Sequence, residues 1–386
     1  MTAQPAPANN GRVVAHRCDR FVGRTMNWLY DHLRVLPRYS PLIACDELQN
    51  RQEFPELTAW EVGRNSLARS VWRRVAGADV DPFVVWRLQR RKPRLLHSHF
   101  GYVAAGDYAL QKALSVPWLI GFYGADVYAL GRLQEWRAHY RRLFEACARA
   151  LALGPVMAKH LAELGCPAEK IIVHPLGVDS ADLPEISRPY VPGQPLRILF
   201  AGTYREKKGL KYSLEAIAAV RKAGIPVELE LVGEGADKPG DRETEAAALD
   251  RIRGLGLEDI VRRHSFLAFR ELLDLASRCH VFLGPSVTAA DGDSEGTPFV
   301  LQQMMATAMP AVATVHSDIP YLFGNLAHLL VPERDSGAIA ARLIEYASKP
   351  ALLAEHGRLF RAQILGHFDV RQCAGRLAEI YDTLLD

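Results

Sequence analysis

Short runs of continuous apolar residues alternate along this chain with longer stretches in which apolar positions recur every three to four residues. The first pattern predicts strands buried on both faces, the second amphipathic helices. Residues 12–16, 41–45, 94–99, 117–121, 150–153 and 170–174 read as strands. Residues 23–36 read as a helix, and 65–91 as a helical stretch broken at Asp81-Pro82, since proline cannot continue a helix begun before it. Residues 46–63 show no period and read as irregular. A linker is expected over 177–195, which holds Pro184, Pro189, Pro192 and Pro195. The alternation then restarts, with strands at 196–201, 226–232, 261–266, 280–284, 311–315 and 327–331 and helices at 210–223, from about 243, at 270–277 and after Thr297. Regular alternation of this kind means parallel sheets covered by helices. The expected fold class is α/β: two tandem doubly wound, Rossmann-like domains, 11–190 and 191–367, facing across a cleft. A last helix, near 370–384, carries an apolar stripe of Val370, Ala374, Leu377, Tyr381 and Leu384 that must be buried somewhere.

Length and composition fit this picture. A chain of 386 residues, 49% apolar, is too long for one ordinary domain and has ample core material for two. No run of 18 apolar residues occurs, and residues 1–10 form a polar tail unlike a signal peptide, so a cytoplasmic protein is expected. Six scattered cysteines without a CxxC pair predict reduced thiols, neither a disulfide framework nor a zinc site. Charge adds an asymmetry. Residues 1–190 hold 25 Lys+Arg against 18 Asp+Glu, residues 191–386 hold 22 against 26, and all six tryptophans lie in the first half. Trp and Phe flanked by Arg73, Arg74, Arg90 and Arg91 suit an anionic membrane surface, with an ordinary solvated helix face as the competing reading. No nucleic-acid motif appears.

In open α/β sheets ligands bind beyond the carboxyl ends of strands, so the residues that follow strands carry the chemistry. Neither first strand is followed by Gly-x-Gly-x-x-Gly, which counts against a dinucleotide-dependent dehydrogenase. In the second half, the loop Gly202-Thr-Tyr-Arg205-Glu-Lys207-Lys208-Gly209 sets three cations before a helix, an arrangement suited to a diphosphate. Gly233-Glu234-Gly235 permits close backbone approach. Thr297-Pro298 opens a helix with an N-cap residue and proline at the first helical position, whose free N–H groups and dipole attract an anion. Glu295, just before it, is placed to accept hydrogen bonds from sugar hydroxyls. In the first half, His97, His99, Gly101, Tyr123 and Asp126 follow strands and are expected to face the ligand.

Taken together these stretches resemble the GT-B-fold retaining glycosyltransferases, in particular the bacterial family 4 enzymes of exopolysaccharide and lipopolysaccharide assembly. His97-Ser-His-Phe-Gly101 looks like that family's His-x-His-Phe-Gly, and 202–209 like its Gly-Arg-x-x-x-Lys-Lys-Gly donor loop. The most specific match is Val287-Thr-Ala-Ala-Asp291-Gly-Asp-Ser-Glu295-Gly-Thr-Pro298, which is close to its nucleotide-sugar signature. The resemblance implies a metal-independent transfer of a hexose-type sugar from a nucleoside-diphosphate donor to a saccharide or lipid-linked acceptor. It also implies a C-terminal helix, 368–386, that crosses back to the first domain. By the same resemblance Lys208 neutralises the diphosphate with help from Arg205, and the backbone of Pro298, Phe299 and Val300 binds phosphate. Gly202, Thr203, Gly233, Glu234, Gly296, Thr297 and Gln303 complete the donor side. His97, His99, Gly101, Tyr123 and Asp126 form the acceptor side, with His99 as a catalytic candidate.

Three positions depart from the family pattern. Gln303 replaces an acid eight residues after Glu295, Thr203 replaces an arginine, and Tyr123 replaces a histidine in Phe-His-Gly-x-Asp. These exchanges motivate a second reading, a catalytically weakened sugar-nucleotide-binding protein. A nucleotide-sugar epimerase or hydrolase on the same architecture is a third.

Overall fold

The computed structural model describes residues 12–23, 27–52, 54, 56–62, 80–235 and 241–386. The tail 1–10, Arg73, Arg74 and the first part of the expected helical stretch 65–91 lie outside the described residues. The chain divides into two compact units. One runs to Gly177 and takes in Val370–Asp386, and the other is Val178–Asp369.

The first unit holds a seven-stranded sheet. Its strands are β1 (Arg12–Phe21), β2 (Tyr39–Leu48), β3 (Thr58–Glu61), β4 (Leu95–His99), β5 (Trp118–Gly121), β6 (Arg149–Ala152) and β7 (Ile171–Val173). They are ordered β3-β2-β1-β4-β5-β6-β7, with every neighbouring pair parallel. All five residues of β4 are buried, as helices on both faces require. Strand β3 lies in a stretch the sequence pattern left irregular. It is an edge strand of four residues, two of them exposed, so it has too little apolar content to be read.

The second unit holds β8 (Leu196–Ala201), β9 (Val227–Val232), β10 (Val261–His264), β11 (Val281–Gly284) and β12 (Ala311–Ala313), ordered β10-β9-β8-β11-β12 and again parallel. The strand expected at 327–331 does not form. Gly324–Leu329 is a 3-10 turn, and only Val331 bridges to Thr314. An apolar run of that length buries itself equally well as a turn against a core. Residues 178–190, expected with the first domain, belong to the second unit. Val178 N–H donates to Phe368 O at 2.8 Å, Ile186 N–H to Thr307 O at 3.1 Å, and Arg188 to Thr307 O at 2.7 Å.

In both sheets the strand order reverses direction once, between β1 and β4 and between β8 and β11. These are the switch points beyond which doubly wound sheets hold ligands. The C-terminal helix Val370–Leu385 completes the first unit and buries Val370, Ala374, Leu377 and Tyr381, while Leu384 is half-buried. Its end is tied down by Asp382, which accepts from Tyr39 Oη at 2.6 Å and Arg38 at 2.8 Å. No described helix is long and apolar enough to cross a membrane.

Candidate functional site

At the switch point of the second unit the loop after β8 meets the loop after β11. Two glycines make the approach possible. Gly209 has φ +70° and Gly233 φ +129°, and a Cβ on either would fall inside the contact radius of a backbone oxygen, Pro285 O and Gly202 O respectively. The loops are stitched by Val287 N–H to Lys207 O (2.9 Å) and Ala290 N–H to Glu206 Oε2 (2.9 Å), and Thr314 Oγ1 donates to Ser286 O (2.5 Å). Thr203 O accepts from Arg205 N–H at 2.8 Å, and Glu234 O from Tyr204 N–H at 3.1 Å, so both predicted positions serve this framework through their main chains.

A compact charge cluster lies inside this frame. Glu295 contacts Lys207 at 3.2 Å and Lys208 at 3.1 Å, and Lys207 also contacts Asp293 at 3.1 Å. Arg205 reaches Asp293 at 3.8 Å. Burial alone would raise the Glu295 carboxyl, but the two ammonium groups outweigh it and hold the pKa at about 2. Burial likewise works to lower Lys207, and Glu295 and Asp293 reverse it, so its pKa is raised. The two lysines therefore differ. Lys207 is locked among Asp293, Ser294 O and Glu295, whereas Lys208 holds Glu295 and is more exposed. Sequence reasoning picked Lys208 and missed the clamping role of Lys207 and Asp293, because adjacent cations in a loop give no hint of which one turns inward.

A second layer was also missed. The Glu295 N–H donates to His316 Nε2 at 3.1 Å, and Nδ1 of the same buried ring meets Glu333 Oε1 at 2.6 Å. Nε2 is thus the acceptor, and the Nδ1–H donates to Glu333 Oε1. His316 follows β12, and a polar residue beyond a strand end was the one signal that could have found it.

The helix beside Glu295 runs Phe299–Ala306, one residue later than Thr297-Pro298 predicted. Pro298 occupies the N-cap position, and Thr297 makes no capping bond; its buried Oγ1 has no partner. Pro298 has no N–H, so the amides free to meet an anion are those that start the helix, at Phe299 and Val300. Gly296 and Thr297 are buried just before it. Gln303 is buried on the next turn.

In the first unit the predicted residues come together around β4 and β5. Asp126 accepts three backbone N–H bonds, from Gly101 (2.9 Å), Tyr123 (3.1 Å) and Gly124 (2.9 Å), joining the two loops. Its burial raises its pKa, and those amides oppose the rise. Phe100, directly after β4, sits at φ +75°, a strained turn that starts the helix Gly101–Leu114. His97 and His99 are not on an open surface. They are 1% and 2% exposed, with His97 Nδ1 on Tyr381 Oη and His99 Nδ1 on Tyr123 Oη, both at 2.7 Å.

Several known proteins are similar to this chain. The family description "Glycosyl transferases group 1" matches residues 195–349 and "Glycosyltransferase Family 4" matches 44–182. The amylovoran biosynthesis glycosyltransferase AmsK of Erwinia amylovora is 34% identical over 289 residues, 74% of this chain and 69% of AmsK. The putative colanic acid biosynthesis glycosyltransferase WcaL of Escherichia coli K12 is 35% identical over 228 residues, 58% of this chain; the match spans 54% of WcaL, about half its length. Among solved structures, Anabaena Alr3699/HepE in complex with UDP and glucose superposes with a TM-score of 0.77 over 96% of this chain and 99% of that one. At 16% identity this is a likeness of fold.

Proposed function

The chain belongs to the family 4 glycosyltransferases, and from that premise we propose that it moves a hexose-type sugar from a nucleoside-diphosphate donor to a saccharide or lipid-linked acceptor, with retention and without a metal at the donor. The observation that carries this is the Lys207–Glu295–Lys208 cluster beside the start of the helix Phe299–Ala306. Departure of a nucleoside diphosphate needs positive potential near the leaving oxygens, and a half-buried lysine plus a helix start supplies it without an ion. Lys208 is the cation we assign to the diphosphate, since Lys207 is already held by Asp293, with Arg205 in support. Glu295, whose main chain is fixed by His316, is assigned to the sugar hydroxyls. Gly202, Gly233, Gly296 and Thr297 let the donor approach the backbone, and Gln303 faces the nucleoside.

On the acceptor side, Gly101, Tyr123 and Asp126 shape the wall, and His97 and His99 support it from beneath. We extend the proposal to a membrane-associated acceptor because Phe83 and Trp86 stack at 5.7 Å while 44% and 51% exposed, with Arg90 over Trp86 at 4.9 Å. Calorimetry with UDP and GDP tests the donor reading. One of them should bind, and Lys208→Met should weaken it at least about tenfold, the loss expected of one charge-assisted contact. Binding by neither nucleotide, or equal binding by the variant, refutes it. The buried, uncharged Gln303 favours a second reading, a nucleotide-sugar binder with weakened turnover; in that case nucleotide binds but no sugar reaches any acceptor.

A further inference from the structure

The first unit contains a cluster of imidazoles that donor binding does not explain. His16 on β1 pairs in register with His97 on β4, and His99 lies two residues further along β4, so the three side chains share one face of the sheet. One ring nitrogen from each lies within 4.8 Å of the others, and all three residues are buried. His16 Nδ1 and His99 Nε2 share a hydrogen bond at 3.0 Å, which a bound ion would replace.

We infer that His16, His97 and His99 bind a single divalent transition-metal ion of the zinc type. Four features support this. The Nδ1 atoms of His97 and His99 are each engaged by a tyrosine hydroxyl, Tyr381 and Tyr123. Outer partners of this kind fix ring orientation at metal sites and leave Nε2 to the ion. His97 Nε2 is buried and has no partner. Zinc–nitrogen bonds of about 2.0–2.1 Å in tetrahedral geometry set the ligand nitrogens about 3.4 Å apart, so the 3.0 Å pair opens by a few tenths of an ångström and the wider pairs, within 4.8 Å, close toward that spacing by side-chain rotation. A cavity of about 20 Å³ reaches His97 and His99, though not His16, and is walled otherwise by Tyr123, His32, His174 and mostly apolar side chains; it has room for one water beside those two rings.

Imidazole ligands with no carboxylate or thiolate suit zinc, cobalt, nickel or copper over magnesium or calcium. The site lies entirely within the first unit, beneath the Phe100–Gly101 turn, so its ion would stiffen that turn, and it does not rest on the transfer reading.

The test uses the untagged full chain, stripped with a chelator, desalted and titrated with Zn²⁺ and separately Co²⁺. The expected results are one equivalent retained through gel filtration, a higher Tm, and a cobalt spectrum of tetrahedral ligand-field bands without thiolate charge transfer. His16→Asn and His97→Gln, confirmed folded by circular dichroism, should each weaken binding by about 100-fold or more. Tyr381→Phe, which removes only an outer partner, should weaken it about 10- to 100-fold. Failure of the folded parent to retain zinc overturns the inference, as does equal affinity in the two histidine variants, which would mean an adventitious ion held elsewhere. Should the variants not fold, the parent's cobalt spectrum decides: octahedral or thiolate-type bands refute the site.

Discussion

Replacing Glu295 by glutamine keeps the shape of the side chain and removes the charge on which Lys208 depends. Among the described residues Lys208 has no other ion-pair partner, while Lys207 retains Asp293. The structure sets the size of the effect. The Glu295 carboxyl falls from an ordinary 4.5 to about 2, and at 1.36 kcal/mol per unit that is about 3 kcal/mol of stability. The side chain is only 11% exposed, so solvent screening takes little from it. The sign follows from a depressed folded-state value. The stabilisation is fully present above about pH 4.5 and drains away as pH falls toward 2. Relative to Glu295→Gln, the parent should be more stable by about 3 kcal/mol at pH 7 and by only about 1 kcal/mol at pH 3. The assay is urea denaturation followed by far-ultraviolet circular dichroism. Tryptophan fluorescence would miss the event, because all six tryptophans lie in residues 1–190, outside this loop system. Equal stabilities at pH 7, or a gap that does not narrow with acid, would refute the electrostatic account.

Gly209→Ala adds a methyl that overlaps Pro285 O at a positive φ. It should destabilise the second unit by about 2 kcal/mol or more and abolish nucleotide binding, measured by denaturation and calorimetry; an alanine variant with parental stability would show that the loop relaxes freely. Phe83→Ser with Trp86→Ser removes the exposed aromatic pair. Co-sedimentation with phosphatidylglycerol vesicles should fall several-fold while nucleotide binding is unchanged, and undiminished sedimentation would remove this helix face from the membrane proposal.

Both parallel sheets were legible in the sequence because their central strands are apolar on both faces, a pattern that half-exposed strands and surface helices do not produce. The loops that meet at the switch point of the second sheet were legible as motifs, since glycines, cations and an acid stand next to one another in the chain. What escaped was contact between distant segments. His16, His316 and Glu333 each look like isolated polar residues until the fold sets His16 against His99, His316 against the Glu295 amide and Glu333 against His316. Conversely, the apolar residues 327–331 suggested a strand because composition reports burial and does not report hydrogen-bond partners. The helix start near Thr297 was displaced by one residue for a similar reason: Thr-Pro is a capping pair only if the threonine side chain turns to the helix, and here it does not.

The return of Val370–Leu385 to the first unit bears on how the chain is made. Val178 bridges Asp369, and Ser180 Oγ donates to Asp369 Oδ2 at 2.5 Å, so the second unit enters and leaves through one doorway and is, in effect, an insertion into the first. The ribosome finishes all seven strands of the first sheet long before it makes the helix that carries Tyr381 and Asp382. Until then Tyr39 and His97 wait without their partners, while everything needed to complete the inserted unit has already emerged. The half encoded first is therefore the half that can finish only last.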